Sequence, residues 1–562
     1  MSKNEKIILA ACAVLVIAAA GVSAGKYYFS HRVLMPKQGG EYIEGLVGAP
    51  QFINPLYAPS NDVDMDLTGL IYSGLLKIDA DGQIQPDLAE SYEISEDGKV
   101  YIFYIKGDAR WHDGLEVTAN DVVYTFDCIL NPDYASPLIV SLRGTYVEAI
   151  DDLTVKFTLE EPFAPFLSTL TVGILPQHLW QDIPASSFQL AEFNRKPIGS
   201  GYYKFKSFIK DKKGAIHAYN LERNDRYYGQ LPYIDNITFK FYPTFEEGIA
   251  ALNNKNIQGL SYLPKDLKDQ IRGRGDLAFY NPRLTQYTAL FFNQKKRAEL
   301  KNLNYRKVLA LATNKEELVN DVLGGEGSVV HAPILEGLVG WHSDIAKYEY
   351  NLDEANKILD EEDDWKYLSD GDTFRAKMVK KENEDGEEVE ERQDFTLNIS
   401  TIDTEENVAV AEKLRDQWER VGIKVEIFTY NRLDLQKNII KNYDYEILLY
   451  GEILGHDPDP YPFWHSAQIA QGLNLAQLAD RDVDKLLEEA RSTTNGEERQ
   501  EKYVEFQNIL AENLAAIFLY APTYTYPVSE KVKGIEFARI VLPVDRFSGL
   551  QNWYIKTKRA WK

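Results

Sequence analysis

At 562 residues, with 44% apolar and 26% charged side chains, the chain is too long for one ordinary core and reads as a globular protein of two to four domains. A formal charge of −24 offers no basic face to displace counterions from phosphates, which argues against nucleic-acid binding and against flat docking on anionic lipid. Of the two cysteines, Cys12 and Cys128, the first lies in the N-terminal apolar stretch, so the globular part has a single thiol and no internal disulfide.

Lys3 and Lys6 precede an uncharged apolar stretch from Ile7 to Gly25, and Lys26, Tyr27 and Tyr28 follow it. About 19 residues rising 1.5 Å each just span a hydrocarbon core of roughly 30 Å. Either a signal is cut near Val22-Ser23-Ala24, or the stretch stays as a single-pass anchor with Lys26, Tyr27 and Tyr28 at the interface. The anchor is preferred, with 26–37 as a tether. Leu9-Ala10-Ala11-Cys12 looks like a lipobox, but the apolar run ahead of Cys12 begins only at Ile7, well short of the ~7–15 residues an export signal needs. Both surviving readings put the globular part outside the cytoplasm, in the periplasm or on the outer face of the membrane.

Ser60 to Asp97 reads as short strands and turns, punctuated by Asp81-Gly82 and Asp97-Gly98. Val100 to Ile105 makes a strand. Thr118-Ala119-Asn120-Asp121 resembles a capping box and opens a helix through Phe126. Val155, Phe157 and Leu159 alternate as in a half-buried strand. From about 281 the character changes. Ala289 to Asn293 is a short apolar strand, and Tyr305, Val308, Leu309 and Ala312 mark a helix face. Asn314 and Glu317 cap the next helix, which Gly324-Gly325 ends. Phe395, Leu397 and Ile399 alternate, then Val408, Ala411, Leu414, Trp418 and Val421 form a helical stripe that stops at Gly422. Ile423, Val425 and Ile427 alternate again, which makes a right-handed parallel crossover unit and an α/β C-terminal half. The charged stretch between Asp360 and Glu391 reads as a solvated excursion with Asp385-Gly386 as a hairpin tip.

Signatures of catalysis are missing. The eight histidines are scattered, and no zinc-protease helix, paired C-x-x-C or phosphate-cradling loop occurs. Trp111-His112-Asp113-Gly114 reads as a turn before a capped helix rather than a catalytic pair. His456-Asp457-Pro458-Asp459-Pro460 with His465 is the one cluster with metal-ligand residue types, but two prolines fix the loop and the histidines stand nine apart. No metal, no cofactor and no enzymatic activity is expected.

Seven segments together resemble the family 5 extracellular solute-binding proteins. They are GGEYIEGLVGAPQFINPLYA (39–58), RWHDGLEVTANDVVYTF (110–126), PIGSGYYKF (197–205), NYRKVLALATNKEELVNDVLGGEG (304–327), VAVAEKLRDQWERVGIKVEI (408–427), DPDPYPFWHS (457–466) and VDKLLEEAR (483–491). The resemblance implies a two-lobed, hinged α/β fold of the periplasmic-binding-protein kind, with the ligand in the interlobe cleft. It places the first lobe at 38–75, 195–282 and 524–562, an extra domain at 76–194, and the second lobe at 283–523. Hinges fall near Pro282–Gln286 and Tyr520–Tyr524. The implied function is capture of peptides outside the cytoplasm for an ABC importer, with a permease and an ATPase as partners, the N-terminal segment at the membrane, and the receptor itself monomeric.

By similarity to the family, the loop after the strand Tyr445 to Tyr450 faces the cleft. Tyr450, Gly451, Glu452, Asp457, Asp459 and Trp464 are the ligand-binding candidates, with Asn54 and Asn293 as weaker additions. Asp457 and Asp459 could instead only cap turns beside Pro458 and Pro460. One departure stands out. Peptide-binding relatives pair the ligand's free amine with an aspartate three residues ahead of Asp457, where this chain has Leu454. Leucine cannot balance an ammonium. Either Glu452 takes that place, or the ligand presents no free α-amine there, or it is a non-peptide solute such as a sugar oligomer or a metal chelate. An anchored surface sensor or chaperone, or a surface hydrolase, are the readings from other classes.

Overall fold

The computed structural model describes residues 32–561 except 363, 383–387 and 538, together with six separate positions nearer the N-terminus. Most of 7–25, with Cys12, and the Lys26, Tyr27, Tyr28 group lie outside the described residues. Among the described residues no helix is long and apolar enough to cross a membrane.

Three larger sheets carry the architecture. The first has seven strands, in the order Leu277–Tyr280, Tyr526–Ser529, Gly259–Leu260, Glu41–Val47, Asn236–Tyr242, Ile216–Arg223 and Tyr203–Lys210. The second is a four-stranded antiparallel sheet of Ala89–Ile94, Val100–Ile105, Thr154–Leu159 and Thr145–Asp151. Its two central strands alternate as their sequences predict: Tyr101, Phe103, Val155 and Phe157 turn inward onto the helix Ala119–Leu130. Thr118 N–H donates to Asp121 Oδ2 at 2.8 Å, which closes the expected capping box. The helix runs past Phe126 because Cys128 and Ile129 keep facing the core. One apolar core threads both sheets.

Ser60 to Asp97 departs from the expectation of strands and turns alone. Its first part is a helix, Asp62–Ile71. Asn61 caps it by accepting the Val63 N–H at 3.0 Å, and Val63, Leu67, Leu70 and Ile71 lie on its buried face at helical spacing.

The third sheet, of six strands, runs Gly327–Val329, Ala516–Pro522, Gln286–Phe292, Ile447–Ile453, Thr396–Ile402 and Lys424–Tyr430. Separate cores cover its two faces. The expected crossover unit is present, with Thr396–Ile402 and Lys424–Tyr430 paired in parallel around the helix Glu405–Glu419. Gly422 turns the chain at φ +81°, and a Cβ there would meet the Tyr367 hydroxyl at 2.5 Å. Ala376–Glu382 and Glu388–Asp394 form an exposed antiparallel pair. The Asp385-Gly386 tip expected between them lies outside the described residues.

Two segments cross between the first and third sheets, at 281–285 and 523–525. They run side by side: Arg283 bridges Thr523, and the Tyr524 N–H donates to the Pro282 carbonyl at 2.8 Å. A short strand, Arg539–Ile540, lies parallel to Arg283–Leu284 along this crossing. Away from it the two halves touch again, where the Ala164 N–H donates to the Arg491 carbonyl at 2.8 Å and the Arg491 guanidinium lies 4.9 Å from the centre of the Phe163 ring. Space is enclosed between these two contact zones.

Candidate functional site

A cavity of about 670 Å³ opens between the lobes. One wall is the exposed side of the helix Asp62–Ile71 and its C-cap, through Met65, Thr68, Gly69 and Tyr72. Gly69 lets Val544 of the C-terminal stretch come close, since a Cβ there would sit 2.6 Å from Val544 Cγ2. The second lobe contributes the loop Ile453-Leu454-Gly455-His456.

The cavity is largely apolar with a few hydrogen-bonding groups, the usual make-up of a small-ligand site. Thr68 and Tyr72 line it, and their hydroxyls are buried behind that wall with no hydrogen-bond partner among the described residues. Burial also pushes the Tyr72 phenol well above its ordinary pKa, so it stays a neutral donor. His456 Nδ1 is a third buried group without a partner, while its Nε2 stands 3.5 Å from Asp545 Oδ2 of the first lobe. Asp545 is itself held in place by the N–H groups of Val541 and Leu542, at 2.9 and 2.8 Å. Asp87, on the far wall, accepts from Tyr227 and Tyr228 at 3.0 Å each, with Lys77 3.6 Å away.

Beside the cavity the strand Ile447–Ile453 has one edge uncovered. Gln286–Phe292 pairs with it over its whole length. On the other side Thr396–Ile402 pairs with it at Ile447 and Leu448, and Thr401 Oγ1 donates to the Leu449 carbonyl at 2.9 Å, so among the described residues no strand covers that edge from Tyr450 to Ile453.

The family model for bacterial extracellular solute-binding proteins, family 5, matches residues 83–472. This chain belongs to that family. The oligopeptide-binding protein AppA of Bacillus subtilis is 30% identical over 541 residues, 92% of either chain. The structure of AppA from Bacillus subtilis in complex with a nonapeptide aligns at a TM-score of 0.66 and 28% identity, covering 93% of this chain and 100% of that one. NikZ from Campylobacter jejuni in complex with Ni(L-His) aligns at 0.67 and 26% identity, covering 92% and 99%. The family's two-lobed α/β fold is the fold described above.

Within this family 5 chain the residues singled out from sequence fall into three groups. Tyr450 and Gly451 lie half-buried on the strand with the uncovered edge, next to the cavity loop. Glu452 follows them but turns into the core, 3% exposed, hydrogen-bonded to the Tyr287 hydroxyl directly opposite in register. Burial raises its pKa to about 8 against the lowering effect of Tyr287, so at neutral pH it is a protonated acid that does not line the cavity. Its carboxyl is thus turned from the cleft in which the resemblance implies an amine-binding aspartate. Leu454, at the position of that aspartate, does line the cavity, and its N–H donates to the Thr285 carbonyl at 2.9 Å.

Asp457, Asp459 and Trp464 form the second group, behind the loop. Asp457 holds Arg499 with both oxygens, one contact at 2.6 Å, and accepts the Asp459 N–H at 3.1 Å. Asp459 stands 3.2 Å from Arg491, the residue whose guanidinium covers Phe163 of the other lobe. Burial outweighs Arg491 and raises the pKa of Asp459 to about 6. Trp464 is 1% exposed and packs on Phe291, Phe506 and Phe518. These side chains shape the loop from behind. His456 and His465 have separate partners: His465 Nε2 meets Glu488 at 3.1 Å and its Nδ1 accepts the Ala467 N–H.

The two asparagines form the last group. Asn54 donates to Asn194 and accepts the Leu56 N–H at 2.9 Å, which fixes the turn carrying Pro55 and Ala58 into the cavity wall. Asn293 donates to the Tyr443 carbonyl at 2.9 Å, just past the strand end remote from the cavity. Seven residues separate it from Gln286, about 24 Å of extended chain. Thr68, Tyr72 and Asp545 were not legible as site residues. The spacing of Thr68 and Tyr72, polar residues four apart on an apolar helix, was the available signal.

Proposed function

We propose that this chain is the extracytoplasmic receptor of an ABC importer, capturing peptides between its lobes and passing them unaltered to a membrane permease driven by an ATPase. The observation that carries the reading is the edge from Tyr450 to Ile453 beside the interlobe cavity, uncovered among the described residues. An extended peptide added there as a strand would be held by main-chain hydrogen bonds, with its side chains in the cavity. The relatives named for oligopeptide binding support the ligand class. Closure about 281–285 and 523–525 would trap the ligand, by as much as it prefers the closed state. On this reading Tyr450 and Gly451 present backbone to the peptide, and Thr68, Tyr72 and His456 supply hydrogen bonds. Asp457, Asp459, Trp464 and Asn54 position the walls. The receptor acts as a monomer, anchored by 7–25.

Native mass spectrometry of the chain with a defined mixture of three- to nine-residue peptides tests this. Retention of one intact peptide per chain is the expected result, and hydrolysed fragments or no retention would overturn it. A second reading, a non-peptide solute, is favoured by one observation: Leu454 gives the cavity an apolar wall where peptide-binding relatives have a carboxylate. Retention of sugar oligomers or metal chelates, with peptides excluded, would replace the first reading with this one.

A further inference from the structure

A second cavity, of about 490 Å³, lies at the crossing segments and shares no lining residue with the interlobe cavity. Asp81 enters it from the first lobe, Arg283 and Arg539 from the crossing itself, and His331, His342 and Lys347 from the second lobe. The Arg539 guanidinium donates to the carbonyls of Gly82 and Gly337, and so ties the two lobes together.

The positive charge in this cavity is only partly met by direct ion pairs. Glu336 is engaged by Arg283, which leaves Asp81 as the remaining lining carboxylate. Among the described residues neither Arg539 nor Lys347 forms an ion pair, although the chain carries a net charge of −24. Burial lowers the pKa of Arg539 more than Asp545 and Asp79 raise it. Behind the wall, Lys315 Nζ stands 3.3 Å from His331 Nδ1. Burial chiefly, with Lys315 and Lys347 adding to it, pushes His331 down to about 4. Two polar atoms are sealed here without a hydrogen-bond partner, Arg539 Nε and His342 Nε2.

We infer that this hinge cavity binds a small oxyanion, a phosphate or a carboxylate, between Arg539 and Lys347. A guanidinium presents paired donors that match either group, and a half-buried cation gains most from an anion where solvent screening is low. Because the walls come from both lobes, an anion bound there favours the lobe arrangement seen here over an open one. The anion has two sources, a free ion from the medium or the carboxylate end of a ligand reaching past the hinge.

Two measurements on the full chain separate them. Thermal unfolding is followed with inorganic phosphate against sodium chloride at equal ionic strength, and the peptide mixture above is offered in carboxylate and carboxamide forms. A saturable phosphate-specific rise in Tm with no preference between peptide forms identifies a free-anion site. A preference of tenfold or more for the carboxylate forms identifies the ligand's own terminus. In either case Lys347→Gln, an exposed side chain whose loss leaves the unliganded Tm unchanged, weakens the effect at least fivefold, and Arg539→Gln abolishes it. No phosphate effect and no preference, or an equal response in Lys347→Gln, overturns the inference. Peptides retained without an anion effect would sink this site alone, and an anion effect without peptide retention would sink only the peptide reading.

Discussion

His456 and Asp545 face each other at 3.5 Å across the interlobe cavity, one from the loop after the central strand of the second lobe and the other from the C-terminal stretch of the first. This contact has to break when the lobes part, which links closure to the protonation of one imidazole.

Burial lowers the His456 pKa, and Asp545 only partly opposes it. The sign follows from which form the closed state prefers. A base with a depressed pKa is favoured neutral, so its contribution is complete above its ordinary value of 6.5 and is lost as pH falls below it. Ligand affinity is expected to be flat from pH 7 to 8 and to decline below about 6.5. His456→Gln should flatten that decline. Calorimetric titrations at several pH values check this, and an unchanged slope in the variant would rule out His456 as the source.

Tyr72 separates binding from folding. Its hydroxyl has no hydrogen-bond partner among the described residues, so Tyr72→Phe removes no hydrogen bond seen in the fold and should move stability by less than ~0.5 kcal/mol. A ligand hydrogen-bonded to that hydroxyl would lose about fivefold in affinity, ~1 kcal/mol. The opposite pattern, lower stability with unaltered affinity, would remove Tyr72 from the site.

Glu452 makes a prediction about stability alone. Its pKa, raised from 4.5 to about 8, means the folded state favours the protonated acid. Stability is therefore greatest below the unfolded value near 4.5 and declines as pH rises toward 8, by on the order of 5 kcal/mol if fully expressed. Glu452→Gln keeps the shape without the charge. It should come within ~1 kcal/mol of the wild type at pH 5, exceed it clearly at pH 8.5, and leave peptide affinity unaltered. Urea midpoints across this range decide it; parallel curves for the two proteins would refute the assignment.

Arg546 is fully buried and holds both oxygens of Asp66, at 2.6 and 2.7 Å, while its Nε meets Glu44 at 3.1 Å. Arg546→Met strands the Asp66 carboxyl and leaves Glu44 with the Tyr42 and Tyr526 hydroxyls alone. The cost at neutral pH is expected to be about 3–5 kcal/mol. Burial already raises the pKa of both acids, and without the arginine they rise further, so the loss should shrink as the buffer is acidified toward pH 5. A midpoint within error of wild type at pH 7 would contradict this.

Local signals carried much of the fold. The crossover unit from Thr396 to Tyr430 could be read because Leu397, Ile399, Val425 and Ile427 repeat every second residue and Leu414 and Trp418 repeat every fourth. The box of Thr118 and Asp121 was readable for the same reason: cap and first turn are neighbours in the chain. The helix Asp62–Ile71 escaped notice because it is short and adjoins the turn-rich residues that follow it, and with it went Thr68 and Tyr72. The inward turn of Glu452 was not legible on a different ground. Its strand is covered by a core on each face, so which side is wet is not encoded by alternation.

Sequence by itself determined the family, the α/β character of the second lobe, and an apolar residue, Leu454, where the resemblance implies an acid. These are properties of residue order and of short-range periodicity. Tertiary structure alone decided that Tyr287 closes over Glu452, that Arg499 and Arg491 occupy Asp457 and Asp459, and that Tyr72, His456 and Asp545 meet in one cavity. Those groups stand up to several hundred residues apart. What unites them is the order and register of strands and the closeness of two lobes, which no local pattern in the chain records.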